Sequence, residues 1–375
     1  MYEEDDMYEE NEKIIIIDIG TSQTKIGFGR SYSSPSIVPT CLGYEKPECE
    51  KSPFYWNMSD YYKNINKNYS YPIKHGIFTD SNEMEKFFFN IFQNELRISP
   101  EDYKIFITLP IFYPRDKMEK LGEFMLSFIY GCNAPALYIG NQAVFPLISK
   151  GCFTGFSLES GEGITQLVPV YDGFALKYAA GKFSLSGRDL SEYMSMLLKG
   201  QDYRFSSSEG NNRAIAIKEE ECYVAENFEE EKNKIESSEF ILPDGKSLNL
   251  KEEKIYCPEA LFDPKTMGKL EEGIVESCYN TIQKCDNDLK SEMFGNIVIS
   301  GGNTNFKGFN NRFLLEMEKI VKDKFKIKIH DVNDKISAVW EGAKIFSMNP
   351  FMKSMWITKE EYEEYGKAIL YRKCF

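Results

Sequence analysis

The chain has 375 residues, 42% hydrophobic and 27% charged, enough for two domains with sizeable cores. Its net charge of −13, from 45 Lys and Arg against 58 Asp and Glu, argues against general binding to nucleic acid or to anionic membranes. No apolar run reaches the roughly 18 residues of a membrane span, nine cysteines lack CxxC pairs and read as reduced thiols, and two histidines make a His-based zinc site unfavourable.

In chain order, the start MYEEDDMYEENE is an acidic, solvated tail (Glu3, Glu4, Asp5, Asp6, Glu9, Glu10), without the basic-then-apolar order of a signal peptide. IIIID (14–18) is a short buried strand. Stretch 43–71, rich in Tyr, Asn, Lys and Pro, has no clean period and reads as a small excursion or loop. MEKFFFNIFQNEL (84–96) is a helix with Met84, Phe87, Phe88 and Ile91 on one face and Asp80 or Ser81 as N-cap. YKIFITLP (103–110) is a strand. MEKLGEFMLSFI (118–129) is a helix with Met118, Leu121, Phe124, Met125 and Phe128 in register, and ALYI (136–139) is a strand. Stretch 226–239 is acidic and belongs at the surface. Interleaving of this kind favours an α/β architecture.

Two segments share one grammar: IIIIDIGTSQTKIGFG (14–29) and TGFSLESGEGITQLVPV (154–170). Each runs apolar strand, acid, one residue, glycine, small polar residues, second strand. A third strand, NIVISGGNT (296–304), also ends in glycine. A bend of glycine and small hydroxyl residues points several backbone N–H groups into one space, a nest suited to phosphate oxygens. Two such hairpins could clamp a polyphosphate. Acids at the strand ends suit the water shell of Mg²⁺, which takes a few carboxylates plus substrate phosphates, and Lys25 can reach back as a point charge. A single D-x-G-T is weak evidence, since Asp often accepts N–H bonds within an ordinary β-turn. The duplication is what favours the nucleotide clamp.

The chain resembles actin over nearly its whole length. The resemblance rests on YPIKHGI (71–77), NELRISPED (94–102), LPDG (242–245), CPEALFDP (257–264), SGGNT (300–304), MWITKEEY (355–362) and the ending RKCF (372–375), in the family's order. It implies the two-lobed α/β fold of actins, sugar kinases and heat-shock chaperones, with Mg-ATP in a cleft between lobes. The small lobe would take 1–149 and 338–375, with 44–71 its shortened excursion. The large lobe would take 150–337, with about 186–269 its inserted subdomain. By motif, Asp18, Gly20, Thr21, Ser22 and Lys25 would make the first phosphate hairpin and Gly161, Glu162 and Gly163 the second. Gln142 matches the glutamine that positions the attacking water. Lys218 and Glu219 match the pair beside adenine and ribose, and Gly301, Gly302, Asn303 and Phe306 the loop under the base, with Lys335 near a family lysine there. Asp18 and Glu159 would hold Mg²⁺ through water, with Ca²⁺ the alternative ion and ATP or ADP the nucleotide. The resemblance further implies other actin-family subunits and actin-binding proteins as partners, and the cytoplasm and cytoskeleton, or the nucleus, as location.

The departures from actin carry expectations of their own. Glu159 and Glu162 stand where the family has aspartates, and Gln166 where it has a histidine that helps orient the water. A glutamate adds about 1.5 Å of reach, and a misplacement of about 1 Å costs on the order of 10²-fold in rate. Slow or absent hydrolysis is the expectation, with backbone adjustment as the alternative. The excursion's Phe54, Tyr55 and Trp56 are core or a new contact, core being favoured. PKTMGKLEEG (264–273) puts Lys265, Thr266 and Lys269 into an apolar family plug, which weakens a filament contact. Pro146 would kink helix 141–150 unless it lies in the first turn. Phe153, Phe174, Phe346, Phe351 and Met355 are either lobe core or the family's partner-binding groove. A divergent actin, an actin-like subunit of a fixed complex and a phosphotransferase on the same fold are the three functional readings. The last is weakest, because the match is to actin rather than to a sugar-binding lobe.

Overall fold

The computed structural model describes residues 13–30, 32–44, 68–129, 131–200, 208–241, 245 and 247–374. The acidic start and Phe54, Tyr55 and Trp56 lie outside the described residues. The chain divides into two compact units: Met1–Phe153, Tyr171–Ala175 and Ile336–Phe375 form the first, and Thr154–Val170 and Leu176–Lys335 the second.

In the first unit, β1 (Ile14–Ile19) is buried at every position. Such a run needs cover on both faces, as in a parallel sheet. It lies between β2 (Gln23–Phe28), antiparallel to it, and β3 (Lys104–Leu109), parallel to it. Beyond β3 come β4 (Ala136–Asn141), also parallel, and the edge strand Ile357–Thr358, while Ser36–Pro39 closes the other edge. Helices Ser81–Asn90 and Arg115–Leu126 make the crossovers. Asp80 caps the first, accepting the Glu83 N–H at 3.1 Å, and Met84, Phe87, Phe88 and Ile91 are buried as their spacing predicts.

Local details differ from the periodicity. The first helix is α-helical only to Asn90. It widens into a π-helical turn over Ile91–Leu96 and stops at Arg97, whose φ is 55°. The second begins at Arg115 and ends at Leu126, so Phe128 falls past its end and is 73% exposed under the Lys359 ammonium, 5.2 Å from the ring centroid. Pro146 lies in the first turn of the short helix Phe145–Ile148, where its missing N–H is harmless, and no kink follows. The ends of the 43–71 stretch pair, Leu42–Tyr44 with Asn68–Ser70. Phe153, Phe174 and Phe351 are exposed, at 51, 62 and 58%, whereas Phe346 and Met355 are half-buried and Phe346 packs edge-on or tilted, with ring centroids within 6.3 Å, against Phe106, Tyr138 and Phe145.

The second unit repeats the strand plan. β5 (Gly155–Ser160) pairs antiparallel with β6 (Thr165–Tyr171) and parallel with β7 (Ile297–Ser300), which pairs on with Ile329–His330. One face of this sheet presents Phe156, Leu158, Leu167, Ile297 and Ile299 to a core shared with helices Gly187–Leu197, Ile274–Gln283 and Phe309–Val321. The acidic stretch 226–239 is at the surface, as expected, and holds the helix Phe228–Lys234 capped by Asn227. In 264–273, Lys265 and Thr266 lie in a 3₁₀ turn, Lys269 pairs with Asp189 at 3.4 Å, and Leu270 is 94% exposed. The eight cysteines among the described residues are free thiols. No helix among the described residues is long and apolar enough to cross a membrane.

Candidate functional site

The first unit brings together Asp18, Lys25 and Gln142. Asp18 sits near the end of β1, 3% exposed. Thr108, opposite it on β3, donates its hydroxyl to Asp18 Oδ1 at 2.7 Å. Gln142 Nε2 donates to the same oxygen at 3.2 Å and to the Ile19 carbonyl at 2.9 Å. Lys25, opposite Asp18 on β2, holds Nζ 3.8 Å from Oδ2. The Lys25 ammonium therefore turns back toward the Asp18 carboxylate. The hairpin is tied down behind: Thr40 donates its hydroxyl to the Gly20 carbonyl at 2.9 Å and its N–H to Ser22 O at 2.8 Å. Thr21 is buried and accepts the Gly76 N–H at 3.0 Å, while Ser22 is exposed.

The second unit gathers Glu159, Glu162 and Gln166 with Lys218, Asn303 and Gly301. Gln166, 1% exposed, donates Nε2 to Glu159 Oε2 at 3.1 Å across the ladder. Glu162 points instead to Lys218, 3.7 Å away. Lys218 is itself buried and donates to Ser191 Oγ at 2.9 Å and to the Gly187 carbonyl at 3.2 Å. Burial raises the Glu162 carboxyl above its ordinary range, with Lys218 and Arg188 opposing. The turn is braced by Gly187 N–H on the Gly161 carbonyl and Arg188 N–H on the Glu162 carbonyl, both 2.9 Å. Asn303 Nδ2 donates to Gly161 O at 3.0 Å and Ser160 Oγ at 3.2 Å.

Gly301 has φ 89°, and a Cβ there would overlap the Ser160 carbonyl oxygen and lie 2.6 Å from its carbon. Its N–H donates to the Lys335 carbonyl at 2.8 Å. Lys335 Nζ donates to Thr304 O at 2.6 Å and Asn310 Oδ1 at 2.9 Å, and burial lowers the lysine to about 8 against the opposing pull of Asp331. Phe306 and Gly163 are buried; Glu219 and Gly302 are exposed. A Cβ at Gly302 would meet nothing within 4 Å, and one at Gly161 only Ile164 O at 3.7 Å. Neither of these glycines is required by packing.

The two clusters, one in each unit, are built on one plan. Across adjacent strands the first reads Thr108, Asp18, Lys25, and the second Ser300, Glu159, Gln166. Thr108 and Ser300 carry no motif signal for this role in the sequence, although Ser300 ends its strand in ISGG and Thr108 stands one residue before the end of its strand in ITLP. Thr40 and Gly76 carried no comparable signal. A family model described as Actin matches residues 9–375. The chain belongs to the actin family. Actin-family proteins typically bind ATP or ADP with a divalent cation and work with other actin-family or actin-binding proteins. Membership makes this an actin-like protein with the mixed α/β, actin-type fold that the strand plan follows. Among the described residues no group of three or more His, Cys, Asp or Glu could hold a metal ion.

Proposed function

We propose that this actin-like protein is cytoskeletal and binds one Mg-ATP through its two duplicated hairpins, each unit acting as one lobe of the family and supplying one half of the contacts. The observation that carries this reading is the paired strand-end acids, Asp18 and Glu159, each fixed by a neighbouring donor at a glycine hairpin. Their surroundings fit the ligand: a buried carboxylate beside a lysine, and glycines at 161 and 302 with room for a ligand where a side chain would stand. Asp18 and Glu159 would hold the metal through its water shell, with Ca²⁺ as the alternative ion. Backbone N–H groups of Gly20–Ser22 and of Glu162 and Gly163, with Lys25, would face the phosphates, the Gly161 N–H being taken by the Ile164 carbonyl at 2.9 Å. Bound Mg²⁺ would neutralise phosphate charge. Lys218, Glu219 and Glu162 would face adenine and ribose, and Gly301, Gly302, Asn303, Phe306 and Lys335 the base.

Hydrolysis is slow in this reading. Gln142 and Gln166 are the two candidates for orienting water, and Gln166 is a neutral amide already bonded to Glu159, so it cannot act as a base. Assembly is weaker than that of a conventional actin or depends on a partner. Lys265 and Lys269 alter the plug segment, and Lys269 is held by Asp189. That feature also favours the second reading, an actin-related subunit of a fixed complex whose nucleotide is structural.

The deciding experiment is thermal unfolding with and without saturating Mg-ATP, together with analysis of any co-purified nucleotide. A ligand that binds only the folded state raises the melting temperature; an unchanged value with no co-purified nucleotide refutes the reading. Lys25→Ala weakens binding. Sedimentation at rising protein concentration with Mg-ATP separates a filament former from a fixed subunit. Robust unaided filaments at low micromolar concentration would refute weak assembly.

A further inference from the structure

The two clusters share a plan but not a hydrogen-bond pattern. In the first, Thr108 donates directly to Asp18 at 2.7 Å. In the second, Ser300 stands in the place of Thr108, registered with Glu159. Its hydroxyl is fully buried and has no hydrogen-bond partner. Two residues deeper, Ser157 stands where the first unit has Ile16, and its hydroxyl too is fully buried without a partner.

Residues opposite one another on a ladder point to the same face of the sheet. Ser300, Glu159 and Gln166 therefore form one row, and Val298, Ser157 and Val168 the row beneath it. The other face is the apolar core of Phe156, Leu158, Ile297 and Ile299. A hydroxyl buried without a partner costs about 1–3 kcal/mol. Two in adjacent rows beside a carboxylate need a physical explanation, all the more because isoleucine serves the same place in the other unit.

We propose that Ser157 and Ser300 hold a buried water molecule beneath Glu159, and that this water fixes the Glu159 carboxylate, making Ser157 a positioning residue for the nucleotide chemistry. The functional half of this inference rests on the nucleotide reading above; the water site does not. The cause is the length of the acid. An aspartate at 159 would take the Ser300 hydroxyl directly, as Asp18 takes that of Thr108. The extra methylene carries the carboxylate about 1.5 Å farther, and the two hydroxyls beneath it are left without a partner. A buried water needs two to four polar partners, and a water bridge is nearly as favourable as a direct bond. The carboxylate then has Gln166 on one side and the water on the other.

The test is a crystal structure of the parent, of Ser157→Val and of Glu159→Asp, at a resolution that shows ordered water. Water density within hydrogen-bond reach of both hydroxyls in the parent, lost in Ser157→Val, is expected. In Glu159→Asp the aspartate should bond Ser300. If the parent hydroxyls bond protein groups alone, with no water between them, the site is overturned. In single turnover with Mg-ATP, Ser157→Val should slow phosphate release about tenfold through the shifted carboxylate, with ATP affinity held within about twofold. Ser157→Ala gives the same readout should valine not fit. Adding Glu159→Asp to Ser157→Val should restore the rate, which a purely structural serine would not allow; slowing without rescue overturns the positioning role. If no variant and no parent binds Mg-ATP, the nucleotide reading fails and the density still decides the water site.

Discussion

Three glycines separate the fold from the ligand. Gly301→Ala places a Cβ against the Ser160 carbonyl, 2.6 Å from its carbon and 2.9 Å from its nitrogen, at φ 89°. The backbone strain alone is about 1–3 kcal/mol. Relieving the overlap means moving Gly301 away from β5, which strains its N–H bond to Lys335 O and the Asn303 amide on Gly161 and Ser160. Losing one of these adds about 1 kcal/mol. The total, about 2–4 kcal/mol, lowers the melting temperature by roughly 4–16 °C at about 2–4 °C per kcal/mol. Gly161→Ala and Gly302→Ala add a methyl group with nothing nearer than 3.7 Å, so the nucleotide-free protein should melt within about 2 °C of the parent. Those methyl groups occupy the space assigned to phosphate and base, so both variants should lose most of the stabilisation that Mg-ATP confers. Differential scanning fluorimetry without and with saturating Mg-ATP gives both numbers. If Gly301→Ala melts like the parent, the steric reasoning is wrong. If Gly161→Ala keeps the full ligand-induced shift, the hairpin does not face the nucleotide.

Thr108→Val removes the one hydroxyl that donates to Asp18 at 2.7 Å; a stability loss of about 2 kcal/mol is expected in urea unfolding, with Thr108→Ser near the parent, and equal stability of all three would count against the role of this bond. Glu159→Asp combined with Gln166→His should speed single-turnover phosphate release at least about tenfold with ATP affinity unchanged, because the regained interaction acts only in the transition state; a parent already as fast as a conventional actin refutes it. Glu259, 3% exposed, is pushed by burial from 4.5 to about 7 even though Arg312 donates to it at 2.9 Å. The folded state then binds more protons than the unfolded one between those values, so stability falls as pH rises from about 4.5 to 7, by on the order of 3 kcal/mol. Glu259→Gln, though less stable at low pH, should lose that slope in denaturant titrations at pH 5 and 8; an unchanged slope assigns it to other groups.

What the sequence could and could not reveal follows from the range of each interaction. Helical period put Met84, Phe87, Phe88 and Ile91 on a buried face because that pattern depends on neighbours a few residues away. The same period overran at Phe128, since nothing local marks where helix Arg115–Leu126 loses its cover. Pro146 could be read either way from sequence, and only the helix start at Phe145 decides it. The duplicated acids were visible because each hairpin is one contiguous segment. Their donors were not: Thr108 lies 90 residues from Asp18, and Ser300 sits on a strand that reaches Glu159 only through parallel pairing. Parallel register leaves no signature in sequence spacing. It can be inferred across a duplication, however. Once Thr108 is seen beside Asp18, the hydroxyl that ends ISGG becomes the counterpart beside Glu159. The place where the two halves then disagree, a bonded Thr108 against an unpartnered Ser300, is also where the longer Glu159 stands in the position that Asp18 holds in the first hairpin.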